Sequence, residues 1–279
     1  MIHSHQLLRR AAAIVMARFL IMVTALVAIG LLLTYFGPAA GIRDWDLSIN
    51  ESLAASRSDR LESLATNISR SGDTLPIIAF ALVIAIVLAC ARRWLAMALI
   101  PLGLLIEIST FGAVNYIVRR PRPDVENVGK VPSTFSYPSG HVAATLVCWF
   151  GLAIVLLVHK RRRSANVAVA IGSVAVLAMA WARVYLGMHH PLDVTCGVVM
   201  GAGSLLVAAR AFCLARGGSN GGSAGVFFGR ADGDCDDGHR EHRPGDTQER
   251  SARDDAEQHD HGVEFEHAPV DDRSEHVVV

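Results

Sequence analysis

Charge is scarce in this sequence. Asp, Glu, Lys and Arg make up 19% of its 279 residues, against 52% hydrophobic. Together with long apolar runs, that scarcity excludes an ordinary soluble domain and indicates an all-α, polytopic membrane protein. Cysteine is also scarce. Cys90, Cys148, Cys196, Cys213 and Cys235 are scattered, four of them inside apolar segments. No spacing among them makes a disulfide framework or a zinc site, and they are read as inert packing residues. Net charge is absent too, the formal value being zero, and no nucleic-acid partner is expected. That zero averages two unlike parts. Residues 1–216 hold most of the Arg and few acids, whereas the chain beyond holds most of the Asp and Glu.

What is present is a succession of apolar segments, at 11–36, 75–91, 94–118, 142–158, 165–186 and 191–215. The first follows Arg9 and Arg10 and competes with a signal-peptide reading, Ala39-Ala40-Gly41 resembling a cleavage site. Its apolar core exceeds the roughly 7–15 residues of a signal-peptide h-region and is long enough to span. Six transmembrane helices are therefore expected. Between the first two, residues 37–74 are polar, with Leu61, Leu64 and Ile68 at helical spacing. That spacing predicts a short amphipathic helix on the membrane surface or against the bundle. Residues 217–279 open on a Gly/Ser/Asn run and continue rich in Asp, Glu and His. They are expected to form a disordered cytoplasmic tail whose histidines are solvated rather than a metal site.

Basic residues beside short loops set the orientation. With the N-terminus inside, Arg9-Arg10, Arg92-Arg93, Lys160 to Arg163 and Arg216 all fall on the cytoplasmic side. The loop from Arg119 to Lys130 is basic yet lands outside, which an anionic ligand would explain. Three polar clusters then emerge on that same extracytoplasmic face. They are Arg119-Arg120-Pro121-Arg122-Pro123, Pro138-Ser139-Gly140-His141, and Arg183 followed by His189 and Asp193.

Arginines, histidines, a carboxylate and a Ser-Gly turn suit a phosphoryl group. Forked guanidinium donors and the free N–H groups of a helix start bind its oxygens, and a nucleophile and an acid transfer it. Ser139 is a suitable N-cap, and Gly140 admits an anion close to the backbone. His141, Thr145 and Cys148 share one helix face. Asp193 stands four residues after His189 across Pro191, a spacing that lets it orient the ring as in a catalytic triad. His190 is the adjacent rival. An ordinary helix cap, an interfacial histidine and arginines reaching to lipid headgroups explain each cluster singly, but not their convergence. Glu107, inside the third span, is expected to face a polar partner, in a structural or a functional role.

The run from Asn115 through Arg122-Pro123, then Pro138-Ser139-Gly140-His141, then Arg183, His189 and Asp193 resembles the three-part signature of the type 2 phosphatidic acid phosphatases. These integral-membrane lipid phosphatases share a helical fold with vanadium haloperoxidases. The resemblance covers roughly residues 75–210. It implies a helical bundle over 1–216 and no metal or other cofactor. It also implies hydrolysis of a lipid phosphate or pyrophosphate (polyprenyl pyrophosphate, phosphatidic acid or phosphatidylglycerol phosphate) through a phosphohistidine. His189 is then the nucleophile, Asp193 its orienter, and His141 the acid that later activates water. Arg122, Arg183, Ser139 and Gly140 hold the phosphoryl oxygens, and Asn115 stands where the family has a substrate-binding lysine. Ala182 stands where the family has serine. A phosphotransferase using the same residues, and a non-catalytic lipid-binding or transport protein, are the alternatives.

The basic-loop asymmetry makes a direct demand. Cysteines introduced at Ser133 and at Ser219 should label from opposite sides with an impermeant thiol reagent on intact cells. Labelling of both from one side would sink this topology.

Overall fold

The computed structural model describes residues 2–36, 41–129, 131 and 133–219. Of the expected tail, residues 217–219 close the last helix rather than starting a disordered run, and residues 220–279 lie outside the described residues. All regular structure among these residues is helical. In chain order the helices are α1 (Ile2–Leu31, continued by a wider turn over Leu32–Phe36), α2 (Ile42–Ala55), α3 (Asp59–Ser71), α4 (Thr74–Cys90), α5 (Trp94–Met97), α6 (Leu99–Val118), α7 (Gly140–Val158), α8 (Arg162–Tyr185) and α9 (Pro191–Ser219).

Five stretches are long and apolar enough to cross a membrane, or six if α3 and α4, bent by 51° at their junction, form one span. The chain is a multi-pass membrane protein. α4 alone has 17 residues, about 25 Å at helical rise, which is short for a hydrocarbon core of about 30 Å.

Helix α7 is the centre. Val142, Ala143 and Val147 on it are fully buried, and α6, α8 and α9 pack around it while α1 lies against α6 and α9. The α7–α9 contact is backbone to backbone. A Cβ on Gly197 would stand 2.5 Å from the Ser139 carbonyl oxygen, and one on Gly201 2.7 Å from that of Ala143. Glycines one turn apart thus bring α9 against the start of α7, as small residues do between membrane helices. Large apolar side chains on α1, α4 and α8, among them Ile21, Leu82 and Leu177, remain exposed and suit a lipid-facing surface.

The segment between the first two spans differs from its expected form. It holds two helices, and polar side chains as well as apolar ones make its contact with the bundle. Asp46 and Asn50 on α2 and Ser69 on α3 are buried, whereas Leu61 and Leu64 are 40% and 50% exposed. Of the three residues at helical spacing, Ile68 packs inward. The polar contacts reach the site, which is why hydrophobic spacing missed them.

Close approach at Gly197 is a stability claim. Gly197→Ala should cost about 1–3 kcal/mol through overpacking, read as a lower thermal midpoint in detergent. An unchanged midpoint would show that α7 and α9 have slack.

Candidate active site

The two ends of α8 and α9 meet through a chain reversal that the sequence encodes locally. Gly187 has φ 73°, its N–H bonds the Val184 carbonyl, and the Met188 N–H bonds the Arg183 carbonyl. This is a Schellman ending, for which glycine is favoured. Pro191 opens α9 three residues after Met188, where its missing N–H costs nothing. The reversal sets the Arg183 Nη2 3.2 Å from His189 Nε2. Asn50 fixes the turn from outside, donating to the carbonyls of Val184 and His189 at 3.2 and 3.1 Å.

His189 is held by a backbone group. Its Nδ1 lies 2.5 Å from the Ser136 carbonyl oxygen. A carbonyl only accepts, so the proton is on Nδ1 and Nε2 carries the free lone pair. Burial, reinforced by the Arg183 guanidinium, holds the His189 pKa well below the ordinary imidazole value. The ring is therefore neutral at pH 7.

Asp193 does not hydrogen-bond His189, contrary to the triad expectation. Its carboxylate accepts from Arg120 Nη1 at 2.5 Å, from the Ser136 hydroxyl, and from the His190 backbone N–H at 3.0 Å, and lies 3.2 Å from His190 Nδ1. The physical reason is helix capping. His190 immediately precedes Pro191, and an acid at the third helical position turns back to the N–H of the cap residue. Asp193 therefore acts on His189 through Ser136, whose hydroxyl it binds and whose carbonyl orients the ring. His190 lies apart from the larger cavity and faces a small one beside Arg43 and Arg120.

Arg120 sits between two carboxylates, Asp193 and, at 2.7 Å, Asp46. Burial works to lower its pKa, but Asp193 and Asp46 outweigh that and hold it above the ordinary value. Asp46 also accepts from the Leu192 N–H at 3.1 Å. Arg120 is structural rather than a spare phosphate ligand. Arg119 is elsewhere, its guanidinium 4.9 Å from the centre of the Tyr116 ring. Lys130 is outside the described residues.

Asn115 is the second correction. Its amide donates to the carbonyls of Phe135 and Tyr137 at 3.0 and 2.9 Å and accepts from the Phe135 N–H at 3.2 Å. With both its N–H groups engaged, it clamps the loop carrying Ser136 and contributes no donor to a ligand.

The remaining expected residues converge. Arg122, Gly140, His141, Arg183 and His189 line one cavity of about 930 Å³. Arg122 donates to the carbonyls of Met188 and Thr134, and Arg183 donates to the Ser69 hydroxyl at 2.8 Å. In each guanidinium the Nε–H is buried without a partner, as is the Ser139 hydroxyl. Ser139 begins α7 but makes no side-chain capping bond. Burial lowers the Arg122 pKa, and Asp193 opposes it. His141 Nε2 lies 3.0 Å from Asp73 Oδ1, at the bend between α3 and α4. Asp73, Asp46, Asn50, Ser69 and Ser136 are the residues that sequence reasoning missed.

Long apolar helices thus surround a cavity in which two guanidiniums stand beside a neutral histidine. Residues 95–214, which hold all three clusters, match the model of the PAP2 superfamily. A crystal structure of a PAP2-type phosphatidylglycerolphosphate phosphatase from Bacillus subtilis has the same fold. Its TM-score is 0.57 at 22% identity, over 71% of this chain and 93% of that one. The decaprenylphosphoryl-5-phosphoribose phosphatase of Mycobacterium tuberculosis is 34% identical over 92 residues, 32% of this chain and 46% of the relative. A candidate undecaprenyl-diphosphatase of Escherichia coli is 31% identical over 106 residues, 37% of this chain and 50% of the relative. The chain spans about half the length of these curated relatives.

The Arg120 ion pairs carry a stability prediction. Arg120→Met leaves Asp46 and Asp193 buried without their cation and should cost about 3–5 kcal/mol. Chemical or thermal unfolding in detergent reads the loss, and a value within 1 kcal/mol of the parent would remove Arg120 from its central place.

Proposed function

We propose that the protein is a membrane lipid phosphatase that hydrolyses a phosphomonoester or diphosphate of a lipid through a phosphohistidine. One observation carries this reading. Three donors from three separate clusters, the Nε–H groups of Arg122 and Arg183 and the Ser139 hydroxyl, are buried with nothing to bind. Buried polar groups are normally paired, and two neighbouring guanidiniums, each with its Nε–H buried and unpaired, call for an anion. A phosphoryl group in the cavity that Arg122, Arg183 and His189 line, with its several acceptor oxygens, satisfies both Nε–H groups.

The chemistry follows from the geometry. The Nε2 lone pair of neutral His189 attacks phosphorus, and the bond from phosphorus to the lipid oxygen breaks. His141 gives its proton to that oxygen, so the lipid leaves as an alcohol, or as a monophosphate from a diphosphate. His141 then takes a proton from water as the water oxygen attacks phosphorus. The N–P bond breaks, its electron pair returns to Nε2, and phosphate departs. Asp73 Oδ1, 3.0 Å from His141 Nε2, holds the His141 ring in place, and the Ser136 carbonyl keeps the His189 proton on Nδ1. Gly140 and the start of α7 add N–H groups for the phosphoryl oxygens.

The names of the M. tuberculosis and E. coli relatives support a lipid-linked phosphate as substrate class. The positions of Arg92-Arg93 and Lys160 to Arg163 support a site on the extracytoplasmic face.

His189→Ala should abolish phosphate release from lipid phosphates by the purified protein. His141→Ala should lower it by about 10²–10⁴-fold, with a smaller loss at the first step for a substrate with a good leaving group. Vanadate should inhibit, and a metal chelator should not. Activity that persists in His189→Ala while His190→Ala loses it would overturn the assignment of the nucleophile.

A further inference from the structure

Glu107 has no place in the mechanism above, yet it lines the same cavity. It is 6% exposed, and among the described residues no group hydrogen-bonds or ion-pairs with it. A carboxyl at membrane depth without a protein partner is costly and marks a functional position. Its location is specific. A Cβ on Gly140 would stand 3.6 Å from Glu107 Oε1 and 3.4 Å from the Phe111 ring. Glu107 therefore lies beside the start of α7, one helical turn deeper along α6 than Phe111, about 6 Å.

Below that point the cavity continues between α4 and α6. Ile78, Leu82 and Ala85 line it from one side and Pro101, Leu104 and Leu105 from the other. α4 reaches α7 through Ile77, Phe80 and Ile84, with the Phe80 and Trp149 rings 5.3 Å apart. Its other side leaves the gap open. With a phosphoryl group at His189 and a hydrocarbon chain in this gap, the atoms joining the two must pass Glu107.

Resting on the phosphatase reading, we propose that Glu107 is a specificity residue that accepts a hydrogen bond from a hydroxyl one or two carbons from the carbon that bears the phosphoester. The preferred substrate is then a lipid whose phosphate sits on a glycerol or pentose unit with a free hydroxyl. A phosphate on an unsubstituted prenyl chain is the poorer one. A carboxyl oxygen accepts from a hydroxyl, and a bare methylene leaves it unpaired in an apolar cavity, which is how a site rejects a ligand lacking one hydroxyl.

Binding tests this without turnover. In the His189→Ala protein in detergent, affinity is measured for a 1-acyl-glycerol 3-phosphate and for its 2-deoxy analogue. A second pair consists of an alkyl ribofuranoside 5-phosphate and its 3-deoxy analogue. At least one hydroxyl lipid should bind about tenfold more tightly than its deoxy partner, and the pair that shows it identifies glycerol or pentose as the source. Adding Glu107→Leu should erase the difference by weakening the hydroxyl lipid alone, while Glu107→Gln, which keeps an acceptor and the side-chain shape, should retain part of it. Equal affinities within both pairs, or a preference that survives Glu107→Leu, overturn the proposal. Phosphate release from the same lipids by the His189-containing protein is read separately. Its absence alongside an intact binding preference would refute the phosphatase reading and leave the role of Glu107 standing.

Discussion

The guanidinium of Arg120 ties together parts of the chain that lie far apart in sequence. It joins α2, through Asp46, to the start of α9, through Asp193. Its backbone carbonyl accepts from the Ser136 N–H at 2.9 Å, so the loop that orients His189 hangs from the same residue. Two buried carboxylates around one guanidinium cost much to desolvate and are stable only with every bond made. The geometry is therefore all or nothing. The position of His189 inherits that rigidity, because Ser136 binds Arg120, Asp193 and His189 at once.

Functional and supporting layers come from different parts of the sequence. Groups that face the cavity belong to the ends of long apolar helices, where the chain leaves hydrocarbon and polar side chains are tolerated. Those that hold them belong largely to the amphipathic pair α2 and α3, whose buried residues are Asp46, Asn50, Ala65 and Ser69. The pair acts as a polar plug against the bundle. It supplies Asn50 to the His189 turn and Ser69 to Arg183.

Much of this was legible in the sequence. The apolar runs gave the helices, because a 20-residue hydrophobic stretch has few alternatives in a bilayer. The three clusters gave Arg122, His141, Arg183 and His189, because their position at helix ends already restricts them to one face. Partner choice was not legible. Arg120 meets Asp46 across 74 positions, and no periodicity links them. Asp193 could be placed near His189 by spacing, but the helix-start N–H of His190 competes for it and wins. Asn115 stands where a phosphate ligand was expected and is instead occupied by the loop backbone at Phe135 and Tyr137. Ser136, the residue on which the arrangement turns, carries no signal at all, since a loop serine is uninformative until the path of the loop is known.

The carbonyl that holds His189 has a consequence for the fate of a phosphorylated ring. A carboxylate partner could draw the Nδ1 proton toward itself and leave the phosphoimidazole neutral. A backbone amide oxygen is far too weak a base for that. Once Nε2 bears a phosphoryl group, the proton stays on Nδ1 and the ring stays cationic. A cationic phosphoimidazole releases neutral imidazole readily, so the phosphohistidine of the proposed reaction would be short-lived.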